Sequence, residues 1–178
     1  MTGSNRFLRV GLVLLAGVGG DQLTKAIAKA YLPREEAWSY LGDTLRLQLA
    51  HNYGAFLSLG DSLPPGWRQA LLSAGVGIVL LGLLIYLLWR KNLNPRNLVP
   101  LSLILAGGLG NLIDRIAYGG YVVDFVNLGI GPLRTGVFNV ADVAIMAGVV
   151  WLLLTDMLRR PPSSFAVAEE DEKKSEGA

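Results

Sequence analysis

The chain has no cysteine and one histidine, His51. The first absence removes disulfides, thiolate nucleophiles and cysteine-ligated metals together. The second removes the paired histidines of an H-E-x-x-H zinc site. Neither a G-x-S-x-G nucleophile elbow nor a P-loop occurs. Charge is scarce as well: 17% of the 178 residues are charged against 52% hydrophobic, too little polarity for an ordinary water-soluble domain, so much of the surface must face lipid. The net charge of +2 is not gathered into a Lys/Arg stripe with interleaved aromatics, and no nucleic-acid partner is expected.

What the chain does have is apolar runs. The first predicts a spanning helix from about Phe7 to Ala28. Arg6, Arg9 and the small residues of Ala26-Ile27-Ala28 also fit a secretory signal peptide, but Asp21 and Lys25 would then separate its apolar core from the cut, so a spanning helix fits better. Ala70 to Trp89 is free of charge throughout, and Leu98 to Ile113 ends in a turn carrying Asn111, Asp114 and Arg115. The fourth run, Val143 to Leu154, reaches spanning length when it starts in F-N-V-A-D and ends near Arg159. Between the first two runs, Pro33, Glu35, Glu36, Asp43 and Asp61 keep the chain outside the hydrocarbon. There Leu45, Leu47 and Leu49 alternate with Arg46 and Gln48, the period of a strand, and His51 beside it reads as a surface or interface residue.

Four spans place both termini on one side. Arg6, Arg9, Arg90, Lys91, Arg96, Arg159 and Arg160 flank the helices there, in excess over Lys29, Arg34, Arg46, Arg68 and Arg134 opposite, which predicts cytoplasmic termini. Residues 161–178, opening on Pro161 and Pro162 and rich in Glu and Lys, predict a disordered tail. The expected class is an all-α membrane protein with a small extramembrane β element, its four-helix domain covering residues 1–160.

The polar residues inside or beside the spans are the site candidates, because ionisable groups in a bilayer are rarely idle. At about 1.5 Å of rise per residue, Asp21 lies roughly 21 Å beyond Phe7, and Asn111 and Arg115 roughly 22 and 28 Å beyond Arg96, so all three approach the outer boundary. Asp21 and Lys25 share a helix face, and a neutralising ion pair is their simplest role. Asp124 and Asp142 flank the connection between the third and fourth spans. Brought together in a poorly hydrated place, two carboxylates cannot both ionise easily; one keeps a proton to give while the other takes one from water. Either can be the base. A plainer reading of the second motif makes Asn139 a helix N-cap and Asp142 a first-turn acid.

Five motifs in order, D-Q-L-T-K (21 to 25), N-Y-G-A (52 to 55), G-N-L-I-D-R (110 to 115), V-V-D-F (122 to 125) and F-N-V-A-D (138 to 142), resemble lipoprotein signal peptidase, or signal peptidase II, over about residues 7 to 158. The resemblance implies an aspartic endopeptidase of the bacterial inner membrane that cuts lipid-modified prolipoproteins just before the diacylglyceryl cysteine, with its active site at the periplasmic face. It implies Asp124 and Asp142 as the catalytic pair. Asn52, Gly54, Asn111, Arg115 and Asn139 would bind substrate or support the pair, and Asp21, Lys25 and Asp114 would support the fold. A β platform is implied over about 38–60. No cofactor or metal is expected, the partners being the prolipoprotein and membrane lipids, and the protein a monomer. Phe56 and Leu57 depart from the family's usual residues after N-x-G-A, and the Gly-rich stretch 126–136 reads as a loop able to cover the site. Gly107, Gly108 and Gly110 read as helix-packing residues. A proton pathway or a structural assembly factor would use similar residues; the clustering of acids at one depth argues against the first.

Overall fold

The computed structural model describes residues 3–54, 64–90 and 93–158. The predicted tail at 161–178, the far part of the platform at 55–60, with Phe56 and Leu57, and the flanking Lys91, Arg159 and Arg160 lie outside the described residues. Helix α1 runs Gly3–Tyr31, strands β1 and β2 occupy Trp38–Tyr40 and Leu45–Asn52, and α2 (Pro65–Gln69) leads through a π-helical segment, Ala70–Gly75, into α3 (Val76–Trp89). Helix α4 spans Pro95–Ala117, followed by β3 (Val122–Ile130), β4 (Leu133–Arg134) and α5 (Val140–Met157). Among the described residues, four helical stretches are long and apolar enough to cross a membrane: Asn5–Tyr31, Ala70–Trp89, Pro95–Ala117 and Val140–Met157.

Helix α4 starts earlier than the apolar run suggested because Asn94 caps it, accepting from the Arg96 N–H at 3.0 Å, with Pro95 in the first turn where a missing N–H costs nothing. It packs against α1, α3 and α5. Small residues permit this: a Cβ on Gly17 would lie 2.7 Å from that of Ala106, one on Gly108 2.5 Å from a Leu80 methyl, and one on Gly107 would strike the Ala141 carbonyl. Close backbone approach of this kind is how helices associate where lipid supplies no hydrophobic drive. It agrees with reading Gly107 and Gly108 as packing residues.

The bundle is chemically polarised along its length. Val10, Leu80, Leu87, Leu98 and Leu105 form an apolar core toward the end where α1 and α4 begin and α3 finishes. There Arg6 ties α1 to the end of α3 through the Arg90 carbonyl at 2.7 Å. Toward the other end the buried residues are polar: Asp21, Lys25, Asn111, Asp114 and Arg115.

The sheet that lies beyond this polar end is antiparallel with order β1-β2-β3-β4. Its β2 is the strand the leucine alternation predicts, continued through His51 and Asn52. The stretch 126–136 is not the expected loop. Most of it belongs to a hairpin: β3 pairs with β2 along one edge and β4 along the other, the turn using Gly131 at φ 55°, and Thr135 closes it by bonds to both ends of Leu128. Glycines at 129, 131 and 136 mimic a loop in sequence, but a strand with partners on both edges has its backbone bonds made. After the hairpin Phe138 pairs with Val126, so the next residue, Asn139, arrives beside Asp124. At the far end of the sheet, the left-handed backbone of Leu41 and Asp43 is held by side-chain bonds from Ser39 and Arg46 to the Asp43 carboxylate. The Arg46 bond, more than any other cause, keeps that carboxyl below the usual range.

Candidate active site

Asp124 sits on β3 opposite Ala50, which places it diagonally across from Asn52 on the same face of the sheet. Asn52 Nδ2 donates to Asp124 Oδ2 at 3.0 Å, while Asn52 Oδ1 accepts from the Gly54 N–H, also at 3.0 Å. The other oxygen of Asp124 accepts from Asn139 Nδ2 at 2.6 Å. The carboxyl is almost wholly buried, at 1% exposure. Burial first, and the negative charge of Asp142 second, push it up to about 7, against the opposing pull of Asn52, Asn139 and the charge of Lys25.

Asp142 is partly exposed and lies in the first turn of α5. Asn139 and Asp142 form a capping box: Asn139 Oδ1 accepts from the Asp142 N–H at 3.0 Å, and Asp142 Oδ2 accepts from the Asn139 N–H at 3.1 Å. Asn111 Nδ2 donates to the remaining oxygen of Asp142 at 2.9 Å. The plain reading of this motif as a helix start is therefore accurate, and it coexists with the site: the cap residue bonded to Asp142 is also bonded to Asp124. Asn139 thus donates to both carboxyl groups, by its side chain to Asp124 and by its backbone N–H to Asp142.

Behind this pair lies a buried ion cluster. Lys25 Nζ stands 2.8 Å from Asp21 Oδ2 and 3.0 Å from Asp114 Oδ2, all three side chains being at most 2% exposed. Its third contact is Asn111 Oδ1, at 3.0 Å. The sequence places Asp21 and Lys25 on one face; Asp114 joins them only through the packing of α1 on α4. Arg115 donates to the Gly54 carbonyl at 2.7 Å, fastening the end of α4 to the chain just beyond β2. All ten sequence-predicted site residues thus lie in one connected polar network.

One member of the network was not singled out in the sequence. Gln22 Nε2 donates to the Gly110 carbonyl at 3.1 Å and to Asp114 Oδ1 at 3.0 Å, joining α1 to α4 beside the ion cluster. Its signal was a polar residue next to Asp21 in an otherwise apolar helix, a position that the i,i+4 pairing of Asp21 with Lys25 overshadows. Among the described residues, no group of His, Cys, Asp or Glu is arranged to hold a metal ion.

The family model described as signal peptidase (SPase) II matches residues 13–159. The chain belongs to the signal peptidase II family. Relatives of this signal peptidase II family member include the lipoprotein signal peptidase of Francisella tularensis subsp. mediasiatica, 32% identical over 157 residues that span 88% of this chain and 96% of that one. That of Pseudoalteromonas translucida is 40% identical over 137 residues, covering 75% and 78%. Two solved structures, both described as a bacterial membrane enzyme determined by the in meso method, share the fold. The one at 2.3 Å gives a TM-score of 0.71 at 26% identity over 87% of this chain and 93% of that one. The one at 1.9 Å gives 0.73 at 26% identity over 85% and 94%. A signal peptidase II is a membrane protease.

Proposed function

We propose that this signal peptidase II is an aspartic endopeptidase that removes the signal peptide of diacylglyceryl-modified prolipoproteins, cutting just before the lipidated cysteine. The observation that carries the mechanism is that Asn139 is bonded to both carboxyl groups, to Asp124 by its side chain and to Asp142 by its backbone N–H. Two carboxyls that feel each other's charge share their acidity, and the pair titrates as a unit. Asp124, buried and lifted by its neighbour's charge, is the group that holds the proton. Asp142, the more exposed of the two, is the base that takes a proton from water as the water attacks the scissile carbonyl. Asp124 then hydrogen-bonds the developing oxyanion and passes its proton to the leaving amine. Asn52, Asn111 and Asn139 set the direction of each carboxylate before reaction, so that little reorganisation remains for the transition state.

Positive residues at the ends where α1 begins and α4 begins support an orientation with both termini in the cytoplasm and the sheet on the periplasmic side of the inner membrane. The substrate's apolar segment and lipid would then reach the pair from the bilayer, with the four-helix chain acting as a monomer. Purified protein incubated with lipidated and unlipidated prolipoprotein tests the proposal. Cleavage of the lipidated form alone, abolished by Asp124→Asn and by Asp142→Asn in folded protein, is the expected result. Normal turnover by either variant would remove that residue from the mechanism.

A further inference from the structure

The buried ion cluster is built in more detail than neutralisation requires. An ammonium has three donors and no acceptor, and Lys25 spends one each on Asp21, Asp114 and Asn111. A lysine serving only to balance buried acids would need just the first two. The third contact fixes a direction. Because a lysine can only donate, the atom of Asn111 facing it must be oxygen, and the amide nitrogen is thereby turned to Asp142. The same oxygen accepts from Asn139 Nδ2 at 3.1 Å, on the group that also donates to Asp124.

The two acids of the cluster complete the arrangement. Asp21 Oδ1 accepts from the N–H of Ala141 at 2.9 Å, and Asp114 Oδ2 accepts from the N–H of Val123 at 3.0 Å. Each therefore grips the residue immediately ahead of one aspartate of the pair. We propose that Lys25 is a positioning residue for the aspartate pair: through Asn111 it orients Asp142, and by holding Asp21 and Asp114 it fixes the backbone that carries both aspartates. This inference rests on the catalytic role assigned to the pair above. Among the described residues, the charged groups facing the pair are Asp21 and Lys25 on α1 and Asp114 and Arg115 on α4. Strand β2 offers uncharged Asn52, its His51 lying tilted against the Tyr121 ring with centroids 4.3 Å apart, and α5 offers Asp142 itself.

The test uses the full chain in detergent and lipidated prolipoprotein, with kcat and KM referred to folded protein. The variant Lys25→Met/Asp114→Asn keeps the cluster's net charge at about −1 and leaves Asp21 on Ala141, so loss of the Asn111 contact is separated from loss of the fold. Its kcat is expected to fall by about 100-fold with KM unchanged. Lys25→Met alone carries the same expectation for kcat on its folded fraction, so either variant decides the matter; in that single variant, where no negative charge is removed as well, the alkaline limb of the pH profile is expected to move upward, because a positive charge near Asp124 has gone. Added to Asn111→Leu, the substitutions should cost less than the product of the separate losses, since one of the two routes from Lys25 runs through Asn111. Wild-type kcat in the Lys25 variants, or losses that multiply in full in the combined variant, would overturn the inference. Asp124→Asn run in parallel tells the two failures apart: turnover there defeats the aspartate pair, whereas an inactive Asp124→Asn beside normal Lys25 variants defeats the positioning role alone.

Discussion

Asp124→Asn is expected to change how the stability of the fold depends on pH, by an amount that the site itself sets. The carboxyl titrates at about 7 in the folded protein against 3.8 for an unperturbed aspartate. Between those values the folded chain keeps a proton that the unfolded chain has released, so unfolding becomes easier as pH rises. The contribution is whole below about pH 4 and is lost by the time pH has risen through about 7. A displacement of about three units, at about 1.4 kcal/mol each, amounts to about 4 kcal/mol. Asparagine cannot ionise and lacks this term. It carries a cost of its own, since its amide nitrogen must face the Nδ2 of Asn52 or of Asn139, but that cost is the same at every pH and cancels. Unfolding free energies of both proteins, followed by tryptophan fluorescence in mixed micelles with a denaturing detergent, supply the measurement. From about pH 4 to 8 the variant should gain about 4 kcal/mol on the wild type. A difference that stays constant over that range would refute the assignment of the high value to Asp124.

With Asp124 as the proton donor, kcat/KM for lipidated substrate is expected to fall as pH rises above about 7, one log unit per pH unit; a rate that keeps rising there would contradict that role. Asn139→Ala removes the contact shared by both aspartates together with the cap of α5, and is expected to cost about 1–2 kcal/mol of stability, read from detergent unfolding, besides nearly all peptidase activity. Gly107→Ala drives a methyl into the Ala141 carbonyl, which a backbone cannot easily evade, and should destabilise by about 1–3 kcal/mol. By contrast Gly11→Ala, with nothing within 4 Å of the new carbon, is expected to be neutral or slightly stabilising in the same assay.

The spans were legible because bilayer hydrocarbon imposes long apolar runs, and α3, with no charge anywhere, is the clearest case. Asp21 and Lys25 were legible as partners because i,i+4 geometry is local. The addition of Asp114 and Gln22 to that pair was not, since it depends on how α1 meets α4. The hairpin around β3 was hidden for a different reason. Its glycines weaken any strand signal, and its pairing with β2 joins residues some seventy positions apart, such as Asn52 and Val122. The two readings of Asp142, helix-capping acid and proposed reactive carboxyl, could not be separated in sequence, because the contacts that make it a capping acid also hold its carboxyl toward Asn111 and Asn139.

That shared use of Asn139 bears on biogenesis. The amide that starts the last spanning helix is also the one that joins Asp142 to Asp124. A nascent chain that has inserted only its first three spans therefore owns Asp21, Lys25, Asn111 and Asp124 but no second aspartate to work with. On the proposed mechanism, proteolytic competence therefore arrives in one step, when the final helix docks.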